Sequence, residues 1–188
     1  PVSALIGIFS ASFVAAKELF NIFLVITFMT ALLNALKTLQ ADVRMVQPFR
    51  RVMRGGHSSF VIIALCTYVI SLFFWPTPAV PLVSAILLPA AIAAGLPPLA
   101  GAMAIAIAGQ GMALSSDYVI GVAPGISAKA AGAAVSAAVV ADLALVLSLT
   151  TGAVALTAAY LLIRKHIVPA DPALLSAWQA RAQAGSLA

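Results

Sequence analysis

From residue 133 to residue 163 the chain runs for 31 residues with one charged side chain, Asp142. As a helix rising 1.5 Å per residue this run is about 46 Å long. The hydrocarbon core of a bilayer is about 30 Å thick, and about 20 apolar residues cross it. A run of this length and apolarity is a membrane span, and it must be tilted, broken near Thr150-Thr151-Gly152, or extended beyond the bilayer. The rest of the chain agrees. Of 188 residues, 63% are apolar and only 8% charged, whereas soluble domains carry about 25% charged residues. A water-soluble fold could not hide so much apolar surface, but a bilayer can serve as its solvent. The expected fold is therefore all-α, a polytopic transmembrane helical bundle, and a soluble domain or soluble enzyme is excluded. The length allows roughly five to seven spans.

The basic residues set the orientation. Leu19 to Leu39 reads as a span that ends in QADVRMVQPFRRVMRGGH, residues 40–57, with Arg44, Arg50, Arg51 and Arg54. Arg164-Lys165-His166 closes the long apolar run. Lys and Arg collect in cytoplasmic loops, so loop 40–57 and the C-terminus are both expected in the cytoplasm, with the chain in the cell's inner (plasma) membrane. The formal net charge of +5 is thus a topology signal with no nucleic acid implied, although the basic run also suits anionic lipid heads. Two cytoplasmic edges require an even number of crossings between them. Ser58 to Trp75 and the run 133–163 supply two, so residues 76–132 contribute either none or two.

Residues 76–132 are the irregular part. Pro76, Pro78 and Pro81 follow Trp75, and prolines at this spacing argue against a regular helix, because each removes a donor and crowds the preceding turn. The chain is expected to turn here. Two short apolar arms follow, interrupted at Pro89 and joined at Gly95-Leu96-Pro97-Pro98. They fit a re-entrant hairpin over Pro76 to Ala108, or two thin spans. The next stretch, GQGMALSSDYVIGVAPGISAKAAG from Gly109 to Gly132, is the least membrane-like of the interior. Non-helical backbone at membrane depth is tolerated only where protein or water covers it, so a broken helix is expected here.

Ionisable groups inside spans are costly and default to a functional reading. Asp117 stands beside Ser115 and Ser116, and Asp142 interrupts the long run. Hydroxyls and a carboxylate are hard oxygen ligands suited to Na⁺ or a proton, and the amides freed at a half-helix N-terminus suit a substrate carboxylate. The plainer reading of Asp117 is a polar helix cap. Asp142 should face the protein interior and find a partner, with Lys129 as one candidate. Gly109, Gly111, Gly121 and Gly125 allow close backbone approach. Ser148-x-x-x-Gly152 and Ala104-x-x-x-Ala108 are weak small-residue contact signals. No His, Cys or acid cluster has metal-ligand spacing, the lone Cys66 can form no internal disulfide, and no cofactor is implied.

The order of these features resembles the ion-transporter superfamily of secondary carriers, which includes gluconate, citrate and C4-dicarboxylate transporters. The resemblance covers about residues 19–163: a span ending in a basic loop, TYVISLFFWPTPAVP (Thr67 to Pro81), a hairpin-like stretch, the broken GQGMALSSDYVIGVAPG (Gly109 to Gly125), and a long span. It implies one half of an inverted-repeat carrier, residues 1–168, followed by a cytoplasmic linker, 169–188, toward a second half. A homodimer would be in keeping. It further implies that Gly109, Gln110, Gly111, Ser115, Ser116 and Asp117, joined here by Asp142, bind a small organic anion and a coupling cation, H⁺ or Na⁺, with any Na⁺ near Ser115, Ser116 and Asp117. Dicarboxylate carriers of the group have Ser-Asn-Thr where this chain has Ser115-Ser116-Asp117. Two other classes compete: a non-transporting membrane subunit or scaffold, and an intramembrane aspartyl protease using Asp117 and Asp142, whose sharing of one proton would be the needed chemistry.

Overall fold

The computed structural model describes residues 2–38, 52–132 and 135–185. Arg44, Arg50 and Arg51 of the basic loop lie outside the described residues. Among those described, every regular element is a helix, so the fold is an all-α membrane bundle. The chain divides into two compact units, residues 1–39 and 40–188.

The first unit is one helix, α1 (Val2–Thr38). With Gly7 its only glycine and no proline inside it, nothing interrupts its backbone bonds. The helix runs through Lys17-Glu18 without a break, and its described side chains are exposed.

The second unit begins with α2 (Gly56–Phe73). The chain turns at Phe74 and Trp75, and α3 (Pro76–Ala93) starts at once. The prolines do not forbid this helix, contrary to the sequence expectation. Pro76 is its first residue, where the missing N–H has no intrahelical partner in any case. Pro81 and Pro89 lie inside it, each at the loss of one backbone bond, which membrane helices tolerate when neighbours enclose the freed carbonyl. Pro89 therefore does not interrupt the arm.

At the end of α3 the chain reverses through a Schellman turn. Gly95 has φ +92°, its N–H donates to the carbonyl of Ile92 at 3.0 Å, and the Leu96 N–H donates to that of Ala91 at 2.9 Å. Pro97 then leads into α4 (Pro98–Ser116), α-helical to Ile105, π-helical over Ala106–Ala113 and α-helical again over Leu114–Ser116. The arms of this hairpin hold 18 and 19 residues, about 27 and 28 Å of rise, close to a full hydrocarbon thickness. They are longer than the short arms read from the sequence, because the helix continues through Gly109 and Gly111 instead of breaking there.

The break comes at residues 117–121. A short helix, α5 (Val122–Ala131), follows, and then α6 (Ala137–Ile163), which is continuous through Thr150-Thr151-Gly152 and closes in a 3₁₀ turn at Arg164–His166. Thr150 and Thr151 donate to the carbonyls of Val146 and Leu147 at 2.9 and 2.7 Å, so their hydroxyls are satisfied inside the helix. Three of these helices, Gly56–Phe73, Pro98–Ser116 and Ala137–His166, are long and apolar enough to cross a membrane.

The core lies where α2, both hairpin arms and α6 meet, around Phe60, Ile63, Val83, Leu87, Ala104, Ala108 and Ala159. The many alanines let the backbones approach closely. One end of the bundle is defined by three chain segments in contact. A Cβ on Gly56 would meet the Ile167 side chain and the Gly95 backbone, and a Cβ on Gly95 would meet the Val168 carbonyl. Val168 N–H donates to Gly95 O at 3.1 Å, and Asp171 N–H to Ala93 O at 3.0 Å. The start of α2, the hairpin tip and the end of α6 therefore share one end. The final helix, α7 (Pro172–Gly185), is capped by Asp171, whose Oδ1 accepts from Ala173 N–H at 2.8 Å. It packs back against α3.

Candidate functional site: the break between two membrane helices

The sequence-predicted residues fall on three surfaces. Along α4, Ala104, Ala108, Gly109, Met112, Ala113 and Ser116 are buried, while Ala106, Gln110, Gly111, Leu114 and Ser115 are exposed. Gln110, Gly111 and Ser115 thus share one uncovered face of a membrane-length helix. Gly109 faces the other way. A Cβ there would stand 3.2 Å from the Thr67 methyl, 3.3 Å from Ser71 Oγ and 3.0 Å from a Val80 methyl. Its role is close packing of α4 on α2 and α3.

The π-helical segment is part of this geometry. An i→i+5 bond pattern admits an extra residue per turn and is frequent at functional sites. Here it spans AIAGQGMA, residues 106–113, whose two glycines lower its intrinsic preference for the α-helix. The hydroxyls that follow are turned onto the backbone. Ser115 Oγ donates to Gly111 O at 2.6 Å and lies 3.1 Å from Met112 O; the buried Ser116 Oγ donates to Ala113 O at 3.2 Å.

Asp117 ends the helix. It adopts φ 40°, ψ 40°, the left-handed region, which Asp tolerates better than most residues. It is 4% exposed. Its N–H still donates to Ala113 O at 2.9 Å, and its carbonyl accepts from Gly121 N–H at 2.8 Å. Gly121, at φ 75°, is the N-cap residue of α5 and has no side chain to cap with. The Asp117 carboxylate does it instead, with Oδ2 accepting from Ala123 N–H at 2.7 Å. A carboxylate at a helix N-terminus also meets the positive end of the helix dipole. The buried charge therefore has a partner in the backbone amide of α5, supplied six residues along the chain.

Asp142 sits elsewhere. It is exposed on α6, among Val139, Leu143 and Val146, which are also exposed. Lys129, in the last turn of α5, is exposed as well. The expected ion pair between them does not form among the described residues, and Asp142 does not face the interior of this bundle. The reason is rotational. The buried stripe of α6 runs through Ser148, Gly152 and Ala159, and at 100° per residue Asp142 lies about a quarter turn away from it. One aspartate buried at a helix cap and one exposed do not make the enclosed carboxylate pair of an aspartyl protease. No group of three or more His, Cys, Asp or Glu suited to a metal ion occurs among the described residues.

Sequence reasoning missed the polar stripe of α2. Ser59, Thr67 and Ser71 are all buried, separated by eight and four residues with Ile63 in the same register. This face packs on the hairpin. Thr67 Oγ1 donates to Ile63 O at 2.7 Å, whereas Ser71 Oγ and Trp75 Nε1 are buried without a hydrogen-bond partner. The four-residue spacing of hydroxyls was the available signal. Also missed was a clasp between α2 and α6, in which His57 Nδ1 and the Tyr160 hydroxyl lie 2.9 Å apart and Phe60 packs on the Tyr160 ring at 5.6 Å. The weak small-residue signals did mark contacts. Ala104 and Ala108 are fully buried, and the Met112 side chain lies directly over Gly152.

No family model matches the chain, and no solved structure matches it. Over 160 residues, 85% of the chain, it is 40% identical to YhfA, an uncharacterized membrane protein of Bacillus subtilis (strain 168). The match covers 34% of that relative, so the chain spans about a third of its length. With its apolar, membrane-length helices and this relative, the chain is a helical membrane protein.

Proposed function

We propose that this chain forms half of the membrane domain of a secondary carrier, moving a small organic anion, a carboxylate, with H⁺ or Na⁺ as coupling ion. The reading is of a carrier, not an enzyme. The observation that carries it is the break at Asp117, a buried carboxylate between membrane helices preceded by a π-helical segment whose Gln110, Gly111 and Ser115 share an exposed face. Polar groups at membrane depth belong against protein or a water-filled path. The exposed face of α4 and the exposed Asp142 are where a second half of the carrier would complete such a path. The resemblance to the ion-transporter superfamily points the same way. In this proposal the Gly56–Ile167 end faces the cytoplasm, the membrane is the cell's inner membrane, and the carrier is free to form a homodimer.

The cap on α5 supports a second reading, a non-transporting membrane subunit or scaffold in which Asp117 only holds the break together. Two substitutions in the whole protein separate these readings. Asn still offers an oxygen to Ala123 N–H and is as good a cap as Asp, so Asp117→Asn keeps the geometry and removes the charge. Asp117→Ala removes both, at about 1 kcal/mol. Under the carrier reading, Asp117→Asn protein reconstituted in vesicles folds normally and loses cation-driven uptake. If Asn supports full uptake with unchanged ion dependence and only Ala fails, through lost folded protein, the carboxylate is a cap and the scaffold reading takes over.

A further inference from the structure

Where the start of α2, the hairpin tip and the end of α6 meet, α7 folds back over the tip and leaves a cleft of about 160 Å³. That is about ten times the volume a single water needs. Its apolar lining includes Ile92, Leu174 and Trp178, its backbone wall includes Gly95, and its two basic lining residues are His166 and Arg181. No acid lines it. Arg181 uses Nε to reach Ala177 O at 3.2 Å, a bond that does not involve its terminal nitrogens. Arg164 and Lys165, both exposed, precede His166 at the same end.

The level of this cleft follows from α6. The apolar run stops at Ile163 and the cleft begins three residues later, at the depth where a bilayer presents its headgroups. A half-buried Trp at that depth is a common interfacial anchor. The site is therefore amphipathic in the same sense as a lipid, with apolar side chains on one side and cations on the other.

We propose that this cleft binds an anionic phospholipid, with the headgroup phosphate against Arg181 and His166 and the start of an acyl chain along Ile92, Leu174 and Trp178. Arg suits the task because its planar fork meets two phosphate oxygens at once. A free phosphate ion would match the rim and leave the apolar lining unused. A zwitterionic choline lipid would match the apolar lining but carry a positive group to a positive rim. The inference is independent of the carrier reading and needs only the membrane.

The test uses the full chain in detergent micelles, with bound lipid counted by native mass spectrometry. Phosphatidylglycerol and phosphatidylcholine of identical acyl chains are added in equal amounts. Phosphatidylglycerol is retained in clear excess, and Arg181→Gln combined with His166→Gln lowers that excess about fivefold or more, as expected when the one Arg of the lining is lost near an anionic headgroup. Arg181→Lys, which keeps the charge, retains most of it. Both altered side chains are exposed, and unchanged far-ultraviolet circular dichroism confirms the fold of each variant. The control, Arg164→Gln with Lys165→Gln, costs less than the cleft pair. Equal retention of the two lipids overturns the proposal, as does displacement of phosphatidylglycerol by millimolar inorganic phosphate, which would make the ligand a free anion. A control pair as damaging as the cleft pair also overturns it, since the basic edge as a whole would then be the attractor.

Discussion

The second hairpin arm and α6 are both membrane-length apolar helices, yet the protein uses them in opposite ways. Half of an apolar 18-residue stretch of Pro98–Ser116 is buried inside the bundle, against 17% of the corresponding stretch of Ala137–His166, although the latter is the more hydropathic of the two. In water that order would be inverted. In a bilayer it is expected, since lipid tails are as apolar as leucine and helix association relies on close packing and small residues. The α4 arm is rich in Ala and Gly and sits in the core. The α6 helix shows Leu143, Val146, Leu147 and Val154 outward and touches its neighbours through Ser148, Gly152 and Ala159. Hydropathy identifies the span, and side-chain size identifies the face.

The strongest way to break this comparison pairs a core residue with an outward one. Ile63 is fully buried between α2 and the hairpin, and Ile63→Ala should cost about 2–5 kcal/mol through the cavity it leaves. Val154 is 70% exposed, and Val154→Ala should stay within about 0.5 kcal/mol. Unfolding in mixed micelles reads both. Equal costs would mean that α6 is covered by protein on its outward face.

Gly152→Leu is expected to come next. The Met112 side chain occupies the space any new side chain would need, and overpacking of this kind costs about 1–3 kcal/mol. Ala153→Leu, one position away and exposed, is the matched control, and a similar loss at both would show that the α4–α6 contact is not where the structure puts it. The smallest effect is expected at Ser71. Its buried hydroxyl has no partner, so Ser71→Ala removes a desolvated polar group and should leave stability unchanged or raise it by up to about 1 kcal/mol. A marked loss of stability would reveal a bond that this hydroxyl makes in the membrane.

Much of the helical plan was legible along the chain. The α2 span, the Gly95 turn and the length of α6 all follow from local rules of apolar run and left-handed glycine. Reading prolines as a barrier failed at α3, because a proline's cost depends on where it falls in the first turn and on what encloses the freed carbonyl. The break falls inside the stretch Gly109 to Gly132 where the sequence placed it. Its exact position was not legible: Gly109 and Gly111 stay within a π-helix, and the chain departs at Asp117, where a carboxylate can cap the next helix.

By itself, the sequence determined that this protein lives in a membrane as a bundle of helices, because composition and run length fix the solvent a chain can occupy and lipid demands internally satisfied backbone. It also marked Asp117 as an expensive buried charge. Only the tertiary structure decided what accompanies that charge, namely the Ala123 amide six residues on, and that Asp142 and Lys129 both point away from the core. Those outcomes depend on the rotation of each helix about its axis. In a chain apolar on every side, rotation is set by which small residues let neighbouring backbones meet.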